Sequence, residues 1–546
     1  MPCLAFVNSW FTAPPYIRSR CFARGSEVVF YYIYFFFDFK FNTMSNTMSD
    51  KNSVNFTRRE FLGTVAAAAA FTIVPRSVLG GPGYTAPSDM VNLAGIGVGS
   101  QGGGDIQNIA TPDVPIKRRP FGGGGMLMQP YAGIQPPRRE RRASDNPVQM
   151  GDAEKQSFKH ANIYALCDVD HDYSGHILAG YPKAKKYTDF REMIDKEKEI
   201  DAVLIGTPDH THAVIAAYAM KAGKHVFVEK PMAKTIYETR FLRDLAKQTG
   251  VVTQMGNQGH NIEGTMQTVD NIEGTMQTVE WIQGGVIGDV KEVHLWTNRP
   301  MWRQGYFDRP AGVDIPSNLN YDVWLGPAPD KPYNPEMLHF AWRGLWDYGT
   351  GAMGDMGAHT FDAPIWALNL GMPTKIQATS TPYNKDYLPQ SECVTYEFPA
   401  RGNMPPVKVT WSDGGIKPAR PAELEANRQL REALYIGDKG LIMHGTHGAE
   451  PQLIPERPGF VAPEKTLKRP SNIYVDFIEA IKEGRKAAND FEVSAKLTEI
   501  MLLTNIAVAA QRLDLTLEYD AENMRITNCP EANDYFHYEY RKGWSL

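Results

Sequence analysis

Two short stretches carry the residue types best suited to chemistry. "EKP", Glu229 to Pro231, sets Lys230 directly after an apolar run, His225 to Val228. At the end of a buried parallel strand a lysine faces the ligand crevice, where its ammonium can polarise a reacting hydroxyl. "YGTGAMGDMGAH" spaces Asp355 and His359 four apart, so on a helix the carboxylate and the imidazole share a face. Such a pair suits transfer of a hydroxyl proton. Each has a plain alternative: a surface lysine before a proline, and a helix cap beside a core histidine. The same i, i+4 spacing suits a metal, but no third Cys, His or Glu is placed to complete a site, so none is expected.

A third stretch, "LAGIGVGSQGGGD", has G-x-G-x-x-G at Gly97, Gly99 and Gly102, after an apolar strand (Val91 to Ile96) and at the start of a helix. Glycines there let the backbone approach a pyrophosphate, and the helix N-terminus favours its charge. A glycine loop with no ligand is the alternative. Asp168 ends the next strand, in "ANIYALCDVD", where a carboxylate accepts from the adenosine ribose and repels a 2′-phosphate. NAD is therefore favoured over NADP. Asp168 lies 66 residues past Gly102 rather than about 20. Asp170 competes for the role, and a cap or turn is the plainer reading of Asp168.

These groups need a scaffold, and the chain from Met90 supplies one. Strand-like runs "VNLAGI", "ANIYALC", "IDAVLIG", "KHVFVE" and "VVTQMGN" alternate with helical ones such as "YTDFREMIDK" and "TRFLRDLAKQTG". That alternation implies a doubly wound parallel sheet. Pro112 to Pro147 interrupts it with Pro, Gly and Arg and no period, and reads as a surface arm. After Trp281, "VKEVHLWTNRP", "TKIQATST", "CVTYEFPA", "VKVTWSD", "REALYIGDKGLIMHG" and "PQLIPE" read as a mostly antiparallel sheet. Two helices follow, "SNIYVDFIEAIKEG" and "SAKLTEIMLLTNIAVAAQR". "NIEGTMQTV" occurs twice, at Asn261 and Asn271. Ten residues turn a helix by about 1000°, so the two copies cannot pack one face on the same core. One copy reads as an added turn or bulge.

The N-terminal part reads as targeting. "TRREFLGTVAAAAAFTIV" sets Arg58 and Arg59 before an apolar run of about 14 residues, where a spanning helix needs about 20. This matches a twin-arginine (Tat) export signal, with Val78 and Gly80 small enough to flank a cleavage site. The aromatic-rich residues 1–43 precede it, as if the start were set too early, with Met44 or Met48 the better start. The expected organisation is a mis-called start over 1–43, a signal over 44–80, a Rossmann domain over 88–258 with an insertion at 112–147, and a C-terminal domain over 259–546. A net charge of −5 gives no reason to expect nucleic acid as a partner. Three cysteines beyond the signal, Cys167, Cys393 and Cys529, make no disulfide framework. No stable membrane span is expected after signal processing.

GIGVGSQG, CDVD, TPDHTH, GKHVFVEKP and GDMGAH, in this order, resemble the glucose–fructose oxidoreductase / inositol dehydrogenase / rhizopine-catabolism (Gfo/Idh/MocA) family over nearly all of the chain from Met90. The resemblance implies an α/β fold: an N-terminal Rossmann domain, then a C-terminal α+β domain with a large, mostly antiparallel open sheet that often forms the oligomer face. A homo-oligomer, dimer or tetramer, is expected. It implies oxidation of a sugar or polyol hydroxyl. Lys230 would contact that hydroxyl, His359 would take or give its proton, and Asp355 would orient the substrate or the histidine. Thr207, Pro208, His212 and Glu229 would line the nicotinamide side, and Asn257 would touch substrate.

Trp302, Trp342, Trp346 and Tyr348 cluster in sequence near this element, with Arg299 and Arg343 beside them. Aromatic faces pack on sugar C–H faces and polar neighbours read the hydroxyls; ordinary core packing is the alternative. Arg299, Trp302, Trp346 and Tyr348 are taken as substrate-binding candidates. Tat carries folded proteins, so NAD would be loaded before export, held tightly in the periplasm and regenerated on the enzyme. Two chemistries meet that need: oxidation of one sugar with reduction of another, or a redox-neutral route in which oxidation, elimination or epimerisation, and reduction occur on one substrate. The first is preferred because EKP is intact. A non-catalytic sugar-binding relative and two-carboxylate glycosidase chemistry are the remaining alternatives.

Overall fold

The computed structural model describes residues 89–116, 159–261, 274–448, 450–511 and 514–546. The expected export signal, most of the arm and all but the first residue of the first copy of the repeat lie outside the described residues.

Six parallel strands form the first sheet: β1 (Asn92–Ile96), β2 (Asn162–Cys167), β3 (Lys185–Tyr187), β4 (Ala202–Ile205), β5 (His225–Glu229) and β6 (Thr253–Gly256), in the order β3-β2-β1-β4-β5-β6. Every residue of β4, Ala-Val-Leu-Ile, is buried. That is what a parallel strand covered on both faces demands, and why its run is continuously apolar. Helices α1 (Gln101–Ile109), α2 (His171–Gly180), α3 (Phe190–Lys196), α4 (Asp209–Lys221) and α5 (Ile236–Thr249) make the crossovers. Local chemistry sets their ends. Asp170 and Asp189 cap α2 and α3, while Thr235 and Glu238 form a capping box on α5, which stops at left-handed Gly250. Strand order reverses between β1 and β4, so the crevice for a ligand opens at the C-terminal ends of these strands.

Helix α6 (Thr275–Gln283) begins inside the second copy of the repeat and leads to β7 (Val290–Trp296). A short helix, α7 (Tyr321–Leu325), and a longer one, α8 (Gly351–Ala367), precede the strands β8 (Lys375–Ser380), β9 (Glu392–Phe398), β10 (Val407–Ser412), β11 (Ala433–Gly437), β12 (Gly440–His444) and β13 (Gln452–Ile454). Helices α9 (Ile473–Glu483) and α10 (Phe491–Ala510) and strands β14 (Leu517–Asp520) and β15 (Arg525–Ile526) follow. The second sheet has nine strands, ordered β13-β12-β11-β7-β10-β9-β8-β14-β15, and only β10 with β7 is parallel.

Side chains alternate across this sheet. Ile376, Ala378, Val394, Tyr396, Val409 and Trp411 point into the core, while Lys375, Gln377, Cys393, Glu397 and Lys408 are exposed. Helices α8 and α10 cover the inner face. Among the described residues α10 is the one helix long and apolar enough to cross a membrane, but it is 78% buried within the fold and is a core helix. Its Glu499 is clamped by Arg240 of α5 through two bonds of 2.8 and 2.6 Å.

The two sheets belong to one compact unit, and the chain crosses between them. Helix α9, well past residue 259, packs Ile473, Tyr474, Phe477 and Ile478 against Leu93 and Phe227 of the first sheet and Ile106 of α1. The first layer is thus completed by a late segment, which an amphipathic pattern alone does not reveal.

Candidate active site

A cavity of about 370 Å³ lies along the C-terminal ends of the parallel strands, from Gly97, Gly99 and Asp168 at one end to Lys230, Arg343 and Asp355 at the other. Each motif glycine has a steric reason. Gly97 has φ +75° and a Cβ there would lie 2.6 Å from Thr207 Cγ2. A Cβ at Gly99 would meet the Tyr173 ring at 2.3 Å, and at Gly102 the Gly97 carbonyl at 2.4 Å. Ser100 heads α1 without a side-chain cap. First-turn N–H groups without a cap suit an anion, so turn and helix fit the pyrophosphate of a dinucleotide.

Asp168 holds this turn. Its Oδ2 accepts from the N–H groups of Val98 (2.8 Å) and Gly99 (3.0 Å), and its Oδ1 from Asp170 N (3.0 Å). A carboxylate offers about four acceptor positions, so about one remains for a ribose hydroxyl. Burial pushes its pKa up to about 6, against those three bonds. Asp170 is otherwise engaged: its Oδ1 caps α2 at Asp172 N and Tyr173 N and also accepts from Asn318 Nδ2. His339 stacks on Tyr173, ring centroids 3.8 Å apart, and sets Nε2 3.4 Å from Asp170 Oδ2.

Thr207, Pro208, His212 and Glu229 all line the cavity. The ring nitrogens of His212 lie 2.8 Å from the carbonyl oxygens of Thr207 and Pro231, bracing the TPDHTH loop against the EKP turn. Burial pushes its pKa down, against Asp209. Glu229 Oε1 accepts from Gln258 Nε2 at 3.2 Å. Burial, reinforced by Asp105, raises Glu229 well above the carboxylate range, and burial lifts Asp105 to about 7. Asp105, bonded by Gln101 and Tyr474, is a residue that sequence reasoning missed; it sits three residues past the last motif glycine.

Lys230 and Asp355 meet. Lys230 Nζ donates to the Asp355 carbonyl at 2.8 Å and lies 3.5 Å from Oδ1. Arg343 Nε is 3.3 Å from Oδ1 and Arg299 Nε 3.7 Å from Oδ2. Burial raises the Asp355 carboxyl, but these three cations outweigh it and hold the group below the usual range. One carboxylate thus faces three cations, which leaves the local field positive where an alkoxide would form.

Asp355 and His359 fall one turn apart on α8. His359 is 5% exposed, and its Nδ1 lies 3.1 Å from Asn257 Oδ1. Asn257 Nδ2 donates to the Ala358 carbonyl at 3.1 Å, which fixes the amide's orientation. Asn257 Oδ1 can only accept, so Nδ1 of His359 carries the hydrogen and Nε2 keeps its lone pair. Burial, His447 and Lys230 push this imidazole well below its ordinary pKa. It is a neutral base.

The remaining expected substrate residues divide. Arg299 lines the cavity; Asn257, Trp302, Trp346 and Tyr348 do not. Asn257 is fully buried and holds His359 instead. Trp302 is 7% exposed and donates Nε1–H to Gln304. Trp346 packs on Tyr383, and Tyr348 is wholly buried with its hydroxyl bonded to Arg309. Core aromatics and sugar platforms share one composition, so proximity in sequence did not separate them. The cavity takes Phe340 and Trp342 from the same segment, and Arg343 packs on both, 4.8 and 4.4 Å from their ring centroids.

Two family models match the chain. The Gfo/Idh/MocA oxidoreductase family's NAD-binding Rossmann fold matches residues 149–257, and its C-terminal alpha/beta domain matches residues 301–546. The chain belongs to the Gfo/Idh/MocA oxidoreductase family. The Rossmann match starts at residue 149, and β1, which precedes it, takes its place in the sheet between β2 and β4. A levoglucosan dehydrogenase of Pseudarthrobacter phenanthrenivorans is 43% identical over 65 residues, 12% of this chain and 16% of that protein. A glycosyl hydrolase family 109 protein of Shewanella pealeana is 33% identical over 113 residues, 18% of this chain and 25% of that one. These matches span a quarter or less of the relatives' own lengths. An NAD-binding protein from Listeria innocua aligns with a TM-score of 0.48 at 14% identity, over 79% of this chain and 97% of its own.

Proposed function

We propose that this protein is an NAD-dependent oxidoreductase that acts on a hydroxyl of a sugar or polyol, holding and recycling its cofactor. The observation that carries the reading is the meeting of Lys230 and Asp355 in the cavity at the strand ends that also bear the glycine turn, with the Asn257-oriented His359 behind that lining, one turn further along α8. Bound NAD supplies the hydride acceptor. Lys230 and Arg343 stabilise developing negative charge on the substrate oxygen. His359 Nε2 takes its proton, and Asp355 keeps the cations in position. Asp168 accepts from the adenosine ribose and disfavours a 2′-phosphate, which supports NAD over NADP.

Export by the Tat pathway is part of the proposal and is supported by Arg58, Arg59 and the apolar run behind them. A cofactor carried outside the cytoplasm has no pool to exchange with, so tight retention follows from export. For self-assembly we propose the exposed face of the second sheet, around Lys375, Gln377, Glu397 and Lys408, which fits a homo-oligomer. A redox-neutral reaction on a glycoside is the second reading, supported by the likeness to the glycosyl hydrolase family 109 protein.

The test is to denature the purified protein, quantify released nucleotide, and separately add sugars, levoglucosan and D-glucose among them, while following reduced nicotinamide absorbance. Near-stoichiometric NAD(H) reduced by one sugar and reoxidised by another is the expected result. Absence of nucleotide together with no binding of added NAD overturns the reading.

A further inference from the structure

His359 solves one problem and creates another. As a neutral buried base it can accept a hydroxyl proton, but burial and the nearby cation Lys230 make the imidazolium unfavourable, so the proton leaves after the oxidative half-reaction and one returns for reduction of the second sugar. The oxidative half-reaction balances as alcohol plus NAD⁺ giving carbonyl, NADH and one proton. That proton starts on His359 and needs a path to water.

A second imidazole lies beside the first. The rings of His359 and His447 have centroids 4.1 Å apart, tilted by 55°. At that separation one bridging water can connect their ring nitrogens. His447 is half-buried where His359 is buried, so it is the ring of the pair nearer to solvent. Its backbone is left-handed, φ +65°, an uncommon conformation for histidine. Tight backbone contacts surround it: a Cβ at Gly259 would lie 3.2 Å from His447 Cα, and one at Gly448 would meet Thr275 N at 2.4 Å. A non-glycine residue kept in this region is held there by its surroundings, and such strain gathers at functional sites.

We propose that His447 is the proton relay of this site, taking the proton from His359 and handing it to solvent. The proposal rests on the oxidoreductase reading above. The groups facing the pair are Lys230 after β5 and Asn257 after β6; Asp355 lies one turn back on α8 and the His260–Asp362 pair, 3.0 Å apart, one turn further along. Two imidazolium rings at this spacing repel, so only one is charged at a time. Burial and Lys230 bring His447 to about 4, so it too passes its proton on rather than keeping it.

The test uses His447→Asn, because asparagine tolerates the left-handed backbone. Histidine ring NMR of the nucleotide-loaded protein should show the His359 titration midpoint rising by about one unit or more once the neighbouring ring is gone. With a sugar that reduces the bound cofactor, proton release read by an indicator dye should keep pace with NADH in the wild type. In the variant it should lag by about tenfold or more and recover with added imidazole. An unchanged His359 midpoint together with unlagged release overturns the relay. If neither levoglucosan nor D-glucose reduces the cofactor, the oxidoreductase reading fails for them and the titration alone decides: a raised midpoint supports the pairing and an unchanged one overturns it.

Discussion

Asp168 is expected to make nucleotide affinity depend on pH, and the size of the effect follows from its surroundings. The carboxylate, 8% exposed, accepts three backbone N–H groups, yet burial still lifts it to about 6. A ribose hydroxyl donates to the charged form; protonation replaces an acceptor with a donor. With a midpoint of about 6, about nine in ten Asp168 side chains are charged at pH 7 and about one in ten at pH 5. Affinity for NAD should fall about tenfold between those values, about 1.4 kcal/mol. Stability shifts the other way. A carboxyl raised in the folded state costs stability as pH rises from about 4 to about 6, in total about 3 kcal/mol from Asp168 in the nucleotide-free protein. Asp105, at about 7, titrates nearby, so the informative quantity is the wild type minus Asp168→Asn. The assay is quenching of tryptophan fluorescence by NAD in nucleotide-stripped protein, at several values from pH 5 to 8. Equal pH slopes in wild type and variant would refute the assignment.

Three further outcomes are expected. Lys230→Met should keep its nucleotide but transfer hydride at least about 100-fold more slowly in stopped flow; a loss below threefold would remove Lys230 from the chemistry. Gly97→Ala, whose Cβ would lie 2.6 Å from Thr207 in a left-handed turn, should reduce the nucleotide recovered per protein several-fold, read by absorbance after denaturation. Arg240→Met removes both Arg240 bonds from Glu499, a side chain 2% exposed, leaving only the Tyr519 hydroxyl on its carboxylate, and should destabilise the fold by about 3–5 kcal/mol in urea unfolding, with part of the loss restored by adding Glu499→Gln.

Much of this site was legible because it is local in sequence. The glycine turn, the TPDHTH loop, EKP and the Asp355–His359 spacing each lie within a dozen residues, and helix or strand geometry decides where their side chains point. Asn257 meets His359 across 102 positions, so no spacing could announce it as the group that orients the imidazole. His447 lies in a left-handed turn that carries no period, and only its contact with α8 gives it meaning. The aromatic candidates misled for a physical reason: Trp302 and Tyr348 bury their rings and satisfy their polar ends inside the fold, as core aromatics do. The two sheets were readable from the switch between continuous and alternating apolar runs. Strands β14 and β15 and helix α7 are too short for that signal, and the return of α9 to the first sheet is a matter of packing rather than pattern.

The central claim is that one tightly held NAD carries hydride from a sugar hydroxyl and gives it up again. The most direct measurement loads the purified protein with a sugar deuterated at the carbon to be oxidised, adds a second unlabelled sugar, and follows deuterium by mass spectrometry into the nucleotide and the products. Deuterium passing through the bound nicotinamide and appearing on the second sugar is the predicted result. Product formation with no deuterium ever reaching the nucleotide would contradict the account.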